Sequence, residues 1–234
     1  RAQEAALSSA PFPVTWHSDF DEVPDDAPLI LVANEYLDTR SVDQVIEDGG
    51  TSRPRLIGLD AKGQLQFTGP GGIAADEPNP ATVWERPAEP CRLIDALARR
   101  VAHPVAGLLI DYGHDTTLAG ETLQAVRGHK FEHILTSPGE ADLSAHVDFA
   151  HFAGICGTLG LDVDGPLPQA EFLGNLGALQ RASRLMSANP ARAMEIETGM
   201  LRLMSPTGMG GHFKVIGVRD PALPPLPGFP DAMA

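Results

Sequence analysis

The sequence is poor in cysteine, in cations and in long apolar runs, and each shortage excludes something. Two cysteines in 234 residues, Cys91 and Cys156, are too few for a disulfide scaffold or a cysteine-held zinc. They read as buried thiols in a reducing compartment. Lys and Arg total 17 against 31 Asp and Glu, a net charge of −14. That average field repels nucleic acid, which is not expected as a partner. The longest apolar stretches, such as Leu29–Ala33 and Val105–Ile110, fall far below the roughly 18 residues that cross a bilayer, so no membrane partner is expected either. No secretory signal, G-x-S-x-G elbow, Walker loop or G-x-G-x-x-G is visible. His129 and His133 form an HxxxH that lacks the neighbouring Glu of a zincin, and no compact Cys/His spacing exists. No metal site is expected.

What is present is an ordinary globular composition, 43% apolar and 21% charged, long enough for one large domain or two small ones with a real core. Gly (24) and Pro (21) make up about a fifth of the chain, above the usual ~12%, which marks a loop-rich fold. The chain opens at Arg1 without an initiator Met, inside a helix-like stretch (Arg1–Leu7), and reads as one whose beginning is missing. Val14–Trp16 is a short extended candidate. Leu29–Ala33 and Val105–Ile110 are short continuous apolar runs, as expected of parallel strands covered on both faces. Between them, Val42–Glu47, Arg55–Leu59 and Gln64–Phe67 read as strands of a β-rich insertion (residues 42–80), with Gly69–Pro80 a loop. Cys91–Ala102 carries a helical stripe of Leu93, Ile94, Leu97, Ala98 and Val101. Strand, helix and strand in this order predict an α/β sheet.

Beyond it, His114–Leu143 reads as irregular, Ser144–Leu159 as a helix capped near Ser144, and Leu161–Val163 as a strand. Glu171–Met186 and Ala191–Met204 read as helices, and His212–Arg219 as a last strand, so that residues 114–210 are expected to be mostly helical. The tail, 221–234, carries five prolines and is expected to be extended and mobile.

Ligands of open α/β sheets bind beyond the carboxyl ends of the strands. Leu29–Ala33 runs into Asn34, Glu35 and Asp38, and Val105–Ile110 into Asp111 and Tyr112. This crevice of carboxylates suits a cation or a hydrogen-bond donor; equally, these acids could cap the turns that follow. Asp142 and His146, four apart, would share a helix face as a proton-transfer pair or as metal ligands, or would be a helix start with a structural histidine.

Five segments, taken in order, resemble one family: LILVANEYLDTRSVDQ (Leu29–Gln44), LLIDYGH (Leu108–His114), ETLQAVRGHKF (Glu121–Phe131), GEADLSAHVDF (Gly139–Phe149) and MGGHFKVIGV (Met209–Val218). Together they resemble the MidA-like family of class I S-adenosylmethionine-dependent methyltransferases, whose mitochondrial members methylate an arginine of a respiratory complex I subunit and assist its assembly. The resemblance implies a Rossmann-like α/β sheet of order 3-2-1-4-5-7-6, with S-adenosyl-L-methionine as cofactor. Residues 1–220 would then be the C-terminal part, about 60%, of a family domain. Val14–Trp16 would be strand 3, and strands 1 and 2 would be absent. With them would go the Gly-rich loop and the ribose-binding acid.

The remaining cofactor contacts would be Trp16, His17, Ser18 and Asn34. Glu35, Asp38 and Asp111 would hold an arginine guanidinium by charge-assisted bonds, with His146 taking its proton. Tyr112, Glu140 and Asp142 are assigned to the substrate side. A net charge of −14 suits a protein substrate with a basic, arginine-containing segment. The competing readings are a partner-binding assembly factor without chemistry and a small-molecule methyltransferase. A homodimer is allowed for. The compartment would be the cytoplasm of a bacterium or the mitochondrial matrix of a eukaryote.

Overall fold

The computed structural model describes residues 2–69, 82–87, 92–100 and 102–230. Its elements, in chain order, begin with α1 (Ala2–Ala6), β1 (Leu29–Asn34), β2 (Val42–Asp48), β3 (Thr51–Leu59), β4 (Leu65–Thr68), β5 (Thr82–Pro87) and α2 (Arg92–Ala98). There follow β6 (Val105–His114), β7 (Gln124–Arg127), β8 (Lys130–Glu132), β9 (Asp142–Ser144), β10 (Val147–Asp148) and α3 (Phe149–Thr158). The chain continues through β11 (Asp162–Pro168), α4 (Gln169–Asn175), α5 (Ala178–Ala188), α6 (Ala193–Met204), α7 (Met209–His212) and β12 (Phe213–Arg219).

The two apolar runs lie side by side. β1 and β6 pair in parallel from Leu29↔Val105 to Asn34↔Ile110. β12 runs antiparallel against the other side of β6, and β11 antiparallel against β12, giving the order β1-β6-β12-β11. The period of two divides the core between the faces of this sheet. Leu109, Ile216 and Val218 point to the face covered by α2 and α3, where they meet Ile94, Leu97, Phe149 and Phe152. Leu108, Ile110 and Val215 point to the other face, against Phe172 of α4 and Phe229. β1 is the open edge: Ile30 is 83% and Val32 66% exposed.

The insertion is an antiparallel sheet of order β4-β3-β2-β5. The Asp60 carboxylate accepts from the N–H of Lys62 and Gln64, both at 2.8 Å, and so closes its β3–β4 turn.

Several expectations are corrected. Val14–Trp16 forms no strand and lies exposed. The insertion gains a fourth strand, β5, at 82–87. Residues 115–123 and 133–141 are irregular as expected, but the stretch also contains a three-stranded sheet of order β8-β7-β9, and 144–148 are not helical. Its hairpin turns on Gly128 and His129, both with positive φ (56° and 63°), as a two-residue hairpin demands.

The helix expected from Ser144 starts instead at Phe149, where the Asp148 side chain accepts from the His151 N–H and caps it. The 171–186 helix is broken at Gly177 (φ 79°) into α4 and α5. The tail is anchored rather than mobile through residue 230: Phe229 is 8% exposed and packs on Phe172, and the Leu226 N–H donates to Asp164. The expected loop at 70–80 and Cys91, Val101 and 231–234 lie outside the described residues.

Candidate functional site

Because β1 and β6 run parallel and in register, the residues that follow them arrive at one end of the sheet. The Glu35 N–H donates to the Ile110 carbonyl at 2.9 Å, and Glu35 then takes a left-handed backbone (φ 50°) that turns the chain over the end of β6. Asp111 holds this turn. Its Oδ2 accepts from the N–H of Leu37 (2.9 Å) and Asp38 (3.1 Å), and its Oδ1 from the N–H of Tyr112 (2.9 Å). At 1% exposure it is buried, and burial, helped by the nearby Asp38 charge and opposed by the three N–H donors, pushes its pKa up to about 6. Both carboxylate oxygens are spent on backbone. Glu35, by contrast, receives only the Asn34 amide among the described residues, at 3.3 Å, and its side chain is exposed. Of the two readings of these acids, capping describes Asp111, while the Glu35 carboxylate accepts from no backbone N–H among the described residues.

A second chain of contacts starts at Asp38, 7% exposed. The Tyr112 phenol donates to its Oδ2, whereas Oδ1 is buried with no partner among the described residues. The Ser144 hydroxyl bonds the phenol in turn, and Gln124 Nε2 donates to Ser144 at 3.3 Å. Burial and the Asp38 bond raise the Tyr112 pKa well above the usual phenol value, so it stays a donor.

His146 packs edge-on against the Tyr112 ring, with centroids 5.6 Å apart. Burial, then the neighbouring His114, lower its pKa, so it is neutral at pH 7 and able to accept a proton. Its backbone N–H donates to the Thr122 hydroxyl (2.8 Å), which donates to Glu85. Glu85 also accepts from Gln44 and from the N–H of Thr122 and Leu123, so the insertion is tied to the segment that carries His146.

Three concavities surround these groups. A cleft of about 740 Å³ runs along the β1 edge, lined by His17, Ser18, Phe20, Val32, Asn34 and Glu35 among others. A small cavity of about 70 Å³ lies between Asp38, Glu85, His146 and His151. An open pocket of about 230 Å³ is lined by Tyr112, Gly113, Gln124, His146, His212 and Phe213.

Trp16 does not line the cleft, whereas its neighbours His17 and Ser18 do. Glu140 is exposed and pairs with Arg127 at 3.5 Å. Asp142 lies on β9, opposite Val126, so it and His146 share no helix face; α3 starts only at Phe149, beyond both. Residue spacing missed Glu85, Thr122, Gln124, His212 and Phe213. The last is marked only by the strand pattern HFKVIGV.

The mitochondrial protein arginine methyltransferase NDUFAF7 of Danio rerio is 28% identical over 225 residues, covering 90% of this chain and 51% of its own length. The Mus musculus protein of the same name is 30% identical over 222 residues, covering 88% of this chain and 49% of its own. The chain thus spans about half the length of the curated relatives it matches. Two Burkholderia thailandensis crystal structures, each 22% identical, share its fold over 97% of the chain, with TM-scores of 0.80 and 0.78 and coverage of 64% and 61% of their own chains. The second is bound to S-adenosyl-homocysteine. Residues 1–167 match the family described as "Putative S-adenosyl-L-methionine-dependent methyltransferase", and the chain belongs to that family.

Proposed function

We propose that this chain is the acceptor-side part of an S-adenosylmethionine-dependent methyltransferase that modifies arginine in a protein substrate. The observation that carries this reading is the cleft along the unpaired β1 edge, with Asn34 and Glu35 at its rim. The residues present fit one side of the cofactor. Phe20, Val23, Leu31 and Ala33 offer an apolar wall, while His17, Ser18 and Asn34 offer polar contacts. The cofactor, when bound, supplies an electrophilic methyl group. Glu35, exposed and with the Asn34 amide as its partner among the described residues, offers a carboxylate at the cleft to the basic acceptor segment. His146, neutral at pH 7, is placed to accept the proton that a methylated guanidine releases.

The same reading extends the sheet. β1, β6, β12 and β11 take the places of strands 4, 5, 7 and 6 in the order 3-2-1-4-5-7-6, with further strands of the family domain laid against β1. Among the described residues β1 pairs on one side only, which supports this, since a bare edge is otherwise an aggregation site. The exposed Ile30 and Val32 leave one face of β1 for other parts of the family domain to cover. Names of relatives support a protein substrate and, in a eukaryote, a mitochondrial setting. Among the described residues no helix is long and apolar enough to cross a membrane.

The experiment is transfer of labelled methyl from S-adenosylmethionine to an arginine-containing protein, by this chain and by a longer protein that includes it. Label recovered as methylarginine with the longer protein is the expected result. Label on another acceptor overturns the arginine assignment, and a longer protein that binds no cofactor overturns the methyltransferase reading.

A further inference from the structure

Tyr112 and Phe213 stand directly opposite each other on β6 and β12, with ring centroids 5.6 Å apart and planes crossed at 72°. His146, just ahead of β10, meets the same Tyr112 ring at 5.6 Å and 79°. One ring is thus flanked by two others nearly perpendicular to it, and all three line the open pocket of about 230 Å³. In such crossed pairs the edge of one ring meets the face of the next, and a ring face left open to the pocket attracts a cation.

The electrostatics around the pocket point the same way. The Tyr112 phenol donates to the buried Asp38 carboxylate, which sets a negative charge behind the ring. Burial, then the neighbouring His114, hold the His146 pKa below the usual imidazole value, so this ring adds no charge at pH 7, and Gln124 and Ser144 add neutral polar groups. The nearest lysine along the strand, Lys214, projects from the opposite face of β12 to Phe213, and its ammonium donates to the Gly211 carbonyl.

We propose that the Tyr112–His146–Phe213 pocket is an aromatic-walled cation subsite that takes the guanidinium of a substrate arginine side chain. It rests on the proposed arginine specificity and deepens it: the pocket reads the flat, weakly hydrated cation by its face, where a compact ammonium gains less. Asp111 is unavailable for this task because both its oxygens hold backbone N–H groups. Asp38 acts through Tyr112.

The test needs no cofactor. N-acetyl-arginine amide is titrated into the protein, with the imidazole C–H resonances of His146 and His212 followed by NMR; loss of one signal in His146→Leu assigns it. The same titration is run with N-acetyl-citrulline amide, an uncharged near-isostere, and with N-acetyl-lysine amide. Saturable shifts with arginine, none with citrulline, weaker binding of lysine, and about tenfold weaker arginine binding in Phe213→Leu are the expected result. Tyr112→Phe, which keeps the ring and loses the Asp38 bond, should weaken binding less than Tyr112→Leu. Thermal melts confirm that each variant folds.

Citrulline binding as well as arginine, or arginine binding unchanged in folded Phe213→Leu and Tyr112→Leu, overturns the subsite. Arginine methylation by the longer protein with the acceptor KM unmoved by Phe213→Leu also overturns it, while leaving the methyltransferase reading intact. Arginine binding here without any methyl transfer would uphold the subsite and sink that reading instead.

Discussion

Asp111 holds the backbone of Asp38, accepting its N–H at 3.1 Å, while the Asp38 side chain is held by Tyr112, the residue next to Asp111. Two adjacent residues at the end of β6 therefore fix both the main chain and the carboxylate of a residue 73 positions earlier. The β1 and β6 ends cannot shift independently, and the acid nearest the aromatic pocket is positioned by the sheet itself.

Substituting Asp111→Asn tests the pH behaviour of this lock. The folded-state pKa is raised from 3.8 to about 6, so between those values the folded chain holds a proton that the unfolded chain has released. This contribution to stability is present at about pH 4, falls as pH rises, and is lost above about 6. The stability advantage of wild type over Asp111→Asn, measured by denaturant midpoints, should shrink from pH 4 to 6 and level off above it. An advantage that grows over that interval contradicts the raised pKa.

Glu35→Gln separates chemistry from folding. The side chain is exposed and accepts from no backbone N–H among the described residues, so the melting temperature should hold within about a degree. Methyl transfer by the longer protein should fall by about a hundredfold or more. Full activity in the folded variant would remove Glu35 from the site.

Gly113 tests close packing. A Cβ there would sit 2.1 Å from the Val147 carbonyl oxygen, so Gly113→Ala has to push β10 away from β6. A loss of about 1–3 kcal/mol in chemical denaturation is expected, with faster amide exchange at Val147 and Asp148. Unchanged exchange at those two residues would show that the strand end adapts without moving.

Arg219 joins β12 to β11 through Asp164 at 3.0 Å and Asp162 at 2.9 Å, and it also donates to the Leu223 carbonyl. Arg219→Ala strands the buried Asp164 carboxylate and should cost about 3 kcal/mol or more, read from the denaturation midpoint. The tail should then become a protease target near Leu223. A midpoint change below about 1 kcal/mol would show that the Phe229 packing and the bonds at Leu226 and Gly228 hold the tail without the arginine.

The parallel pair was legible because LILVA and VAGLLI are short continuous apolar runs, although only VAGLLI is covered as that composition implies, Ile30 and Val32 of β1 standing exposed. The crevice was legible because strand ends set it. The small sheet was not. Its hairpin turns on Gly128–His129, a left-handed pair outside the usual Asn-Gly signals, and Asp142–Ser144 mimic a helix entry because Ala145, Phe149 and Phe152 continue a helical spacing. Only pairing with Gln124–Val126 pulls that stretch into a strand. Glu85 was hidden for a different reason. Its partners Gln44, Thr122 and Leu123 are dozens of residues away, and no local pattern announces a carboxylate that receives four hydrogen bonds.

The placement of β12 between β6 and β11 also governs how the chain reaches this fold. Residues 213–219 must slot between strands at 105–114 and 162–168, so the middle of the sheet is closed by the last in chain order of its described strands. Until then β6 and β11 have no common neighbour, and every pairing that completes the sheet spans a long loop. Such wiring gives slow, non-local folding with apolar strands waiting exposed. On this view, early folding belongs to the insertion hairpins and to α3, and the aromatic pocket, which needs Phe213 against Tyr112, assembles only at the final step.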